Sequence, residues 1–212
     1  MDEQINIEKQ EKILLGSVEL FMKFGIRSVS MDDIARELGI SKKTLYQYFA
    51  NKADLIGKIL ELQEKESDRC LENNPNSELN AIDELLEISR KISGDLKKYN
   101  PSAIFDLQKY YPEIIKPFFE RRKITVHNFT AENLKRGIRQ GLYRHDLDIE
   151  IVSQLYIKKL EGIHEFMFTN DETFSYNKIF NVMFDNHIRG IANVQGMEYY
   201  EQQKDNFQNN NL

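Results

Sequence analysis

Apolar positions recur at three- and four-residue spacing along nearly the whole chain, the period of a helix with one buried face. Ile13, Leu14, Ser17, Leu20, Phe21 and Phe24 trace such a face over about residues 8–24, and Gly25 is placed to end the helix as a left-handed terminator. Ser30, three residues before Asp33, forms a weaker version of the capping box. The short helix it opens buries Ile34, Ala35 and Leu38, and Gly39 stops it. Ser41 caps a third helix with Leu45 and Phe49 inward at i, i+4. Asn51 caps a fourth, with Asp54 in the first turn where the dipole favours an anion; it carries Leu55, Ile59 and Leu62 and fades at Asn73-Asn74-Pro75.

The remaining pattern predicts helices over about 77–97, 101–110, 112–140, 146–168 and 173–194. Pro112 suits a helix start, whereas Pro117 falls inside the long helix and is expected to kink or delay it. Residues 197–212 turn polar and read as a loose tail. The expected fold is therefore all-α with about nine helices. Its expected division is 1–50 as a helix-turn-helix domain, 51–196 as a helical regulatory domain and 197–212 as a polar tail. Ten Gly and four Pro are too few to punctuate an all-β chain of 212 residues. Cys70 has no partner cysteine, the first 25 residues lack an apolar signal core, and no apolar run reaches the ~18 residues of a membrane span. A soluble protein of the reducing cytoplasm is expected.

Net charge changes the picture only when it is divided. The chain carries −5, which disfavours nucleic acid at first sight. Between Met22 and Lys58 seven cations face four anions, so that segment is +3 and the rest is −8. Phosphate attraction is screened within about 8–10 Å, so a basic module on an acidic body suffices for a DNA binder. With Ala35 allowing close helix approach, Gly39 supplying the turn and Leu45 closing the corner, the helix after Ser41 turns Lys42, Lys43, Thr44, Tyr46, Gln47 and Tyr48 outward. Two exposed tyrosines beside two lysines suit a helix in a major groove. Plainer readings stand beside this one: Ser30, Ser41 and Asn51 are caps first, Tyr46 and Tyr48 can cover a neighbouring helix, and Lys43 can be a solvated charge.

Ser30-Met31-Asp32-Asp33-Ile34-Ala35, then Leu38-Gly39-Ile40-Ser41-Lys42-Lys43-Thr44-Leu45-Tyr46-Gln47-Tyr48-Phe49, then Asn51-Lys52-Ala53-Asp54-Leu55, resembles the N-terminal domain of tetracycline-repressor-type (TetR) regulators, without gaps from about Ile13 to Leu60. The resemblance implies that Ser30 and Tyr48 hold phosphates and that Lys52, at a helix N-terminus, clamps the DNA backbone. It implies that Lys42, Lys43, Thr44 and Tyr46 face the groove, with Gln47 beside them. Many relatives carry Gly where this chain has Lys43, so the operator sequence does not transfer.

The same resemblance implies a homodimer through the last two long helices, a small-molecule effector in the C-terminal domain and a double-stranded DNA operator as partner. The helix over about 51–73 is the expected lever between reader and body. Ile149, Val152, Leu155, Tyr156, Leu160, Ile163, Phe166 and Phe168 give one of the two pairing helices a wide apolar surface; Ile179, Val182, Met183, Phe184, Ile188 and Ile191 do so for the other. Phe105, Tyr110, Phe118, Phe119, His127, Tyr156 and His164 are candidates to line a ligand pocket, although aromatics at helical spacing also serve as plain core. His164-Glu165 lacks the second His of a zinc motif, Gly-rich phosphate loops and nucleophile elbows are absent, and no metal, cofactor or enzymatic activity is expected. The expected function is a ligand-responsive transcriptional regulator, a repressor, on a palindromic operator. A sequence-tolerant architectural DNA binder, or a helical small-molecule-binding protein with decayed DNA function, remains an alternative.

Overall fold

The computed structural model describes residues 2–71, 79–96, 101–166 and 175–209. Ten helices occupy them: α1 (Asp2–Phe24), α2 (Met31–Glu37), α3 (Lys42–Tyr48), α4 (Lys52–Leu71), α5 (Ala81–Leu96), α6 (Pro101–Tyr110), α7 (Pro112–Arg139), α8 (Ile149–Phe166), α9 (Tyr176–Ile191) and α10 (Val194–Asn209). The all-α class is as the periodicity requires. Phe168 lies outside the described residues, as do the side chains of Cys70, His164 and Phe166. Among the described residues no helix is long and apolar enough to cross a membrane.

The helices form two compact units, residues 1–69 with 98–122, and residues 70–97 with 123–212. The first unit extends beyond residue 50 because α4, α6 and the start of α7 share its core. There Ile34, Leu45, Phe49 and Leu55 are wholly enclosed, with Ile13, Phe21, Ile56, Ala103 and Ile115 around them. Pro117 does not delay α7, which runs uninterrupted from Pro112. At that position proline forfeits one backbone hydrogen bond, and its residue is exposed to water.

In the second unit Ile82, Leu134, Phe180, Phe184 and Ile188 form the core of α5, the later part of α7, α8 and α9. A buried polar network crosses it. Tyr143 Oη–H donates to Asn133 Oδ1 at 3.0 Å, while Asn133 Nδ2 donates to the Ala81 carbonyl at 2.9 Å and to Glu84 Oε2 at 2.7 Å. Arg136 pairs with Glu84. Burial and the Glu84 charge push the Tyr143 phenol well above its ordinary range, so it stays a neutral donor.

The expected loose tail is instead α10. The chain turns at Asn193, whose Oδ1 accepts from Gly196 N at 2.9 Å and whose Nδ2 donates to the Gly141 carbonyl at 2.8 Å. Among the described side chains of α10 the apolar contact is a narrow stripe, with Tyr200 buried and Met197 and Tyr199 half-buried. Polar contacts add to it: Tyr199 Oη–H to Asp83 at 2.6 Å, Tyr200 Oη–H to Asp185 at 3.0 Å, and Arg189 to Glu201 at 2.5 Å. Burial alone would raise the Asp185 carboxyl, but hydrogen bonds from Arg189, Lys204 and Tyr200 outweigh it and bring its pKa down to about 2. A helix docked this way is too polar to announce itself by hydrophobic period.

Its docking demands a glycine at 196, where an added Cβ would lie 1.9 Å from the Leu142 carbonyl oxygen. Gly196→Ala is expected to destabilise the chain by about 2 kcal/mol or more, the upper range of core overpacking, because backbone rather than a mobile side chain must yield. Urea denaturation measures this. Unchanged stability would mean that α10 does not dock as described.

Candidate nucleic-acid interface

The reading head is built on the caps of three helices. Ser30 Oγ accepts from Asp33 N at 3.2 Å, and Asp33 Oδ2 accepts from Ser30 N at 3.0 Å, closing a reciprocal box with Asp in place of Glu. The two hydrogen bonds from Ser30, assisted by Arg36, hold the Asp33 carboxyl below its ordinary range. Gly39 takes φ +64° at the turn, where Ile40 N donates to the Ala35 carbonyl at 3.0 Å. Ser41 Oγ then accepts from Thr44 N at 3.0 Å, and Asn51 Oδ1 from Asp54 N at 2.9 Å.

Leu45 and Phe49 are fully buried, and their position fixes the face that α3 offers to solvent. Lys42, Lys43, Tyr46 and Gln47 are exposed on it, Tyr46 by half its surface. Lys42 Nζ is 2.5 Å from Asp32 Oδ2, an exposed pair of the kind worth at most about 1 kcal/mol. The Thr44 hydroxyl lies 2.8 Å from Ser41 Oγ, so it is shared with the cap. Tyr48 is half-buried beside Phe49 at the end of α3, their ring centroids 6.2 Å apart.

Lys52 sits differently from a side chain extended to solvent. Its ammonium donates to the Ile26 carbonyl and lies 5.6 Å from the centre of the Phe21 ring. Partial burial lowers its pKa, while the charges of Asp106 and Asp33 act against that shift. Side chains of α6 meet the same loop. Arg27 N donates to Asp106 Oδ2 of α6 at 2.8 Å, and Arg27 Nη1 donates to Tyr110 Oη at 3.1 Å with the guanidinium over that ring. No local signal links Arg27 to a carboxylate 79 positions away.

The seven ligand-pocket candidates are distributed over both units. Phe105 and Tyr110 are exposed on α6 in the first unit, each with the Lys109 ammonium about 5 Å from its ring centre. Phe118 and Phe119, also in the first unit, pack on its core and edge against each other with centroids 5.7 Å apart. In the second unit His127 Nε2 is 3.2 Å from Glu150 Oε1, and Tyr156 is buried against His187 with ring centroids 4.3 Å apart. The groove beside the start of α10 is lined by Arg144, His145, Asp146, Asn193, Val194 and Met197, and none of the six candidates with described side chains belongs to it. Among the described residues no three His, Cys, Asp or Glu side chains are grouped to hold a metal.

Comparison with known proteins identifies the head. The family model described as "Bacterial regulatory proteins, tetR family" matches residues 13–59. An HTH-type transcriptional regulator of Mycobacterium tuberculosis, Rv0472c, is 39% identical over 57 residues, 27% of this chain and 24% of that protein; the chain therefore spans about a quarter of this relative's length. The fatty acid metabolism regulator protein of Bacillus subtilis is 21% identical over 195 residues, 87% of this chain and 96% of that one. Among solved structures, reduced NemR of E. coli superposes with a TM-score of 0.69 at 13% identity, covering 87% of this chain and 97% of that one. The SmeT–triclosan complex does so with 0.66 at 14%, covering 87% and 92%. At these identities the structural likeness carries the fold alone.

The buried His187–Tyr156 pair makes stability depend on pH. Burial, with the charge of Lys159 in the same direction, brings the His187 pKa down to about 4. The unfolded chain binds that proton near pH 6.5, so the stability from a neutral His187 is fully present above that pH and is lost as pH falls toward 4. Between pH 7 and 5 the loss is expected to reach about 2 kcal/mol. Urea melts at the two pH values, with His187→Leu as the control that flattens the difference, check this. An equal slope in both proteins would contradict it.

Proposed function

The chain belongs to the tetR family of bacterial regulatory proteins, and from that premise we propose that it is a ligand-responsive transcriptional repressor. It binds a palindromic operator as a homodimer. The observation that carries this reading is the exposed face of α3, where Lys42, Lys43, Tyr46 and Gln47 point outward because Leu45 and Phe49 are fully buried. Each protomer lays α3 in a major groove, with Lys43 and Thr44 at base edges and Ser30, Tyr48 and Lys52 on phosphates. Lys52 reaches a phosphate by exchanging the Ile26 carbonyl for a stronger, charged acceptor at the α4 N-terminus.

The dimer reading is supported by an apolar ridge. Ile151 and Leu155 of α8, one turn apart, and Val182 of α9 are each more than half exposed. A second copy seated there removes that surface from water. The effector binds among the C-terminal helices and acts by its preference between two arrangements of the reading heads, and by no more than that preference. The triclosan complex of SmeT supports a small-molecule effector as a class without identifying one for this chain.

The roles divide in a single experiment on duplexes selected from a random library by the wild-type protein. Tyr48→Phe and Lys52→Ala are expected to weaken all duplexes about equally, with Lys52→Ala also lowering the salt slope by about one. Lys43→Ala and Thr44→Ala are expected to change the order of preference among duplexes, by about 1–3 kcal/mol at the affected base pair. Equal losses on every duplex for all four would overturn the assignment. Separately, Leu155→Glu is expected to convert a species of twice 25.1 kDa into a monomer in sedimentation velocity, and a Leu155→Glu dimer would refute the ridge as the interface.

A further inference from the structure

One peptide group in the first unit is held at both of its polar ends by charged side chains from two other helices. The carbonyl of the Ile26–Arg27 peptide accepts from Lys52 of α4, and its N–H donates to Asp106 of α6 at 2.8 Å. Tyr110, one helical turn beyond Asp106 and on the same face of α6, takes the Arg27 side chain through its hydroxyl at 3.1 Å and its ring. The flanking residues Ile26 and Val29 are buried. This peptide lies in the loop that delivers Ser30, the cap on which α2 and then the turn into α3 are built.

We propose that Asp106 is a positioning residue for DNA binding: by gripping the Arg27 amide opposite Lys52, it fixes the loop from which the reading head is hung. Asp106 touches no DNA in this role. Apolar anchoring by Ile26 and Val29 sets the depth of the loop but leaves its rotation open. Two opposed, charge-assisted hydrogen bonds on one rigid planar group fix that rotation. Before DNA binds the Ile26 carbonyl holds Lys52 beside the loop; when a phosphate takes Lys52 over, Asp106 still holds the Arg27 N–H in place. The inference rests on the DNA-binding reading above, so its test includes a readout that does not.

Asp106→Ala and Asp106→Asn are compared with wild type in the full chain. Amide hydrogen exchange followed by NMR reports the Arg27 N–H, and fluorescence anisotropy reports affinity for a duplex selected by the wild-type protein. Asp106→Ala is expected to speed exchange at Arg27 about tenfold, to leave Ile34 and Leu45 protected, and to weaken the duplex about tenfold with an unchanged salt slope. Asp106→Asn keeps an acceptor in place and is expected to recover most of both. Unchanged exchange at Arg27 would overturn the clamp, and faster exchange with unaltered affinity would overturn the positioning role. Loss of protection throughout the unit, with no recovery in Asp106→Asn, would also overturn it in favour of general destabilisation. If the wild-type chain selects no duplex, the DNA-binding reading fails instead, and exchange at Arg27 still decides whether the clamp exists.

Discussion

The burial of Leu45 is the constraint on which the functional face depends. A helix of seven residues cannot hold itself in water, so α3 exists because Leu45, with Phe49 one turn later, is enclosed by the core of its unit. Once those two side chains are fixed inward, every other position of α3 is assigned by geometry, and two lysines, a tyrosine and a glutamine are left facing solvent. The buried Ala35 and the turn at Gly39 serve the same end by letting α2 approach and then redirecting the chain. In the proposed reading these outward residues carry specificity, and because Lys42, Lys43, Tyr46 and Gln47 are exposed they can change without disturbing the core.

How much of this was legible in the sequence follows from the range of the interactions involved. Ser30, Ser41 and Asn51 act over three residues, and the caps they form stand where the spacing puts them. Helix α10 looks like a tail in the sequence because its attachment is mostly polar and distant: Tyr199 to Asp83, Tyr200 to Asp185, and a glycine needed because Leu142 passes beside it. The direction of the Lys52 side chain and the grip of Asp106 on Arg27 were hidden for the same reason, since each joins positions far apart in the chain. The aromatic candidates for a ligand pocket stand on helices of two units, where Phe118 and Phe119 pack on one core and Tyr156 belongs to the other. Helical spacing marks such residues as inward-facing but cannot say which interior they face.

Charge is arranged to suit a local contact on an otherwise repellent body. The segment from Met22 to Lys58 is net positive while the remainder sums to a net negative charge, so the balance favours phosphate at the head more than elsewhere. Several of those cations already have partners, Lys42 with Asp32, Arg36 with Asp33, and Lys52 with a backbone carbonyl. The two exposed ion pairs cost little to exchange, whereas the partly buried Lys52 must give up a hydrogen bond to the Ile26 carbonyl; in the proposed reading a phosphate takes the place of each partner.

The central claim is that this face reads DNA by sequence. Its most direct measurement is fluorescence anisotropy of the wild-type protein on DNA from upstream of its own gene, against a scrambled duplex of the same composition, at two salt concentrations. The account predicts a preference of about a thousandfold or more for the upstream duplex, with affinity falling steeply as salt rises. Equal affinity for both duplexes at either salt concentration would contradict it.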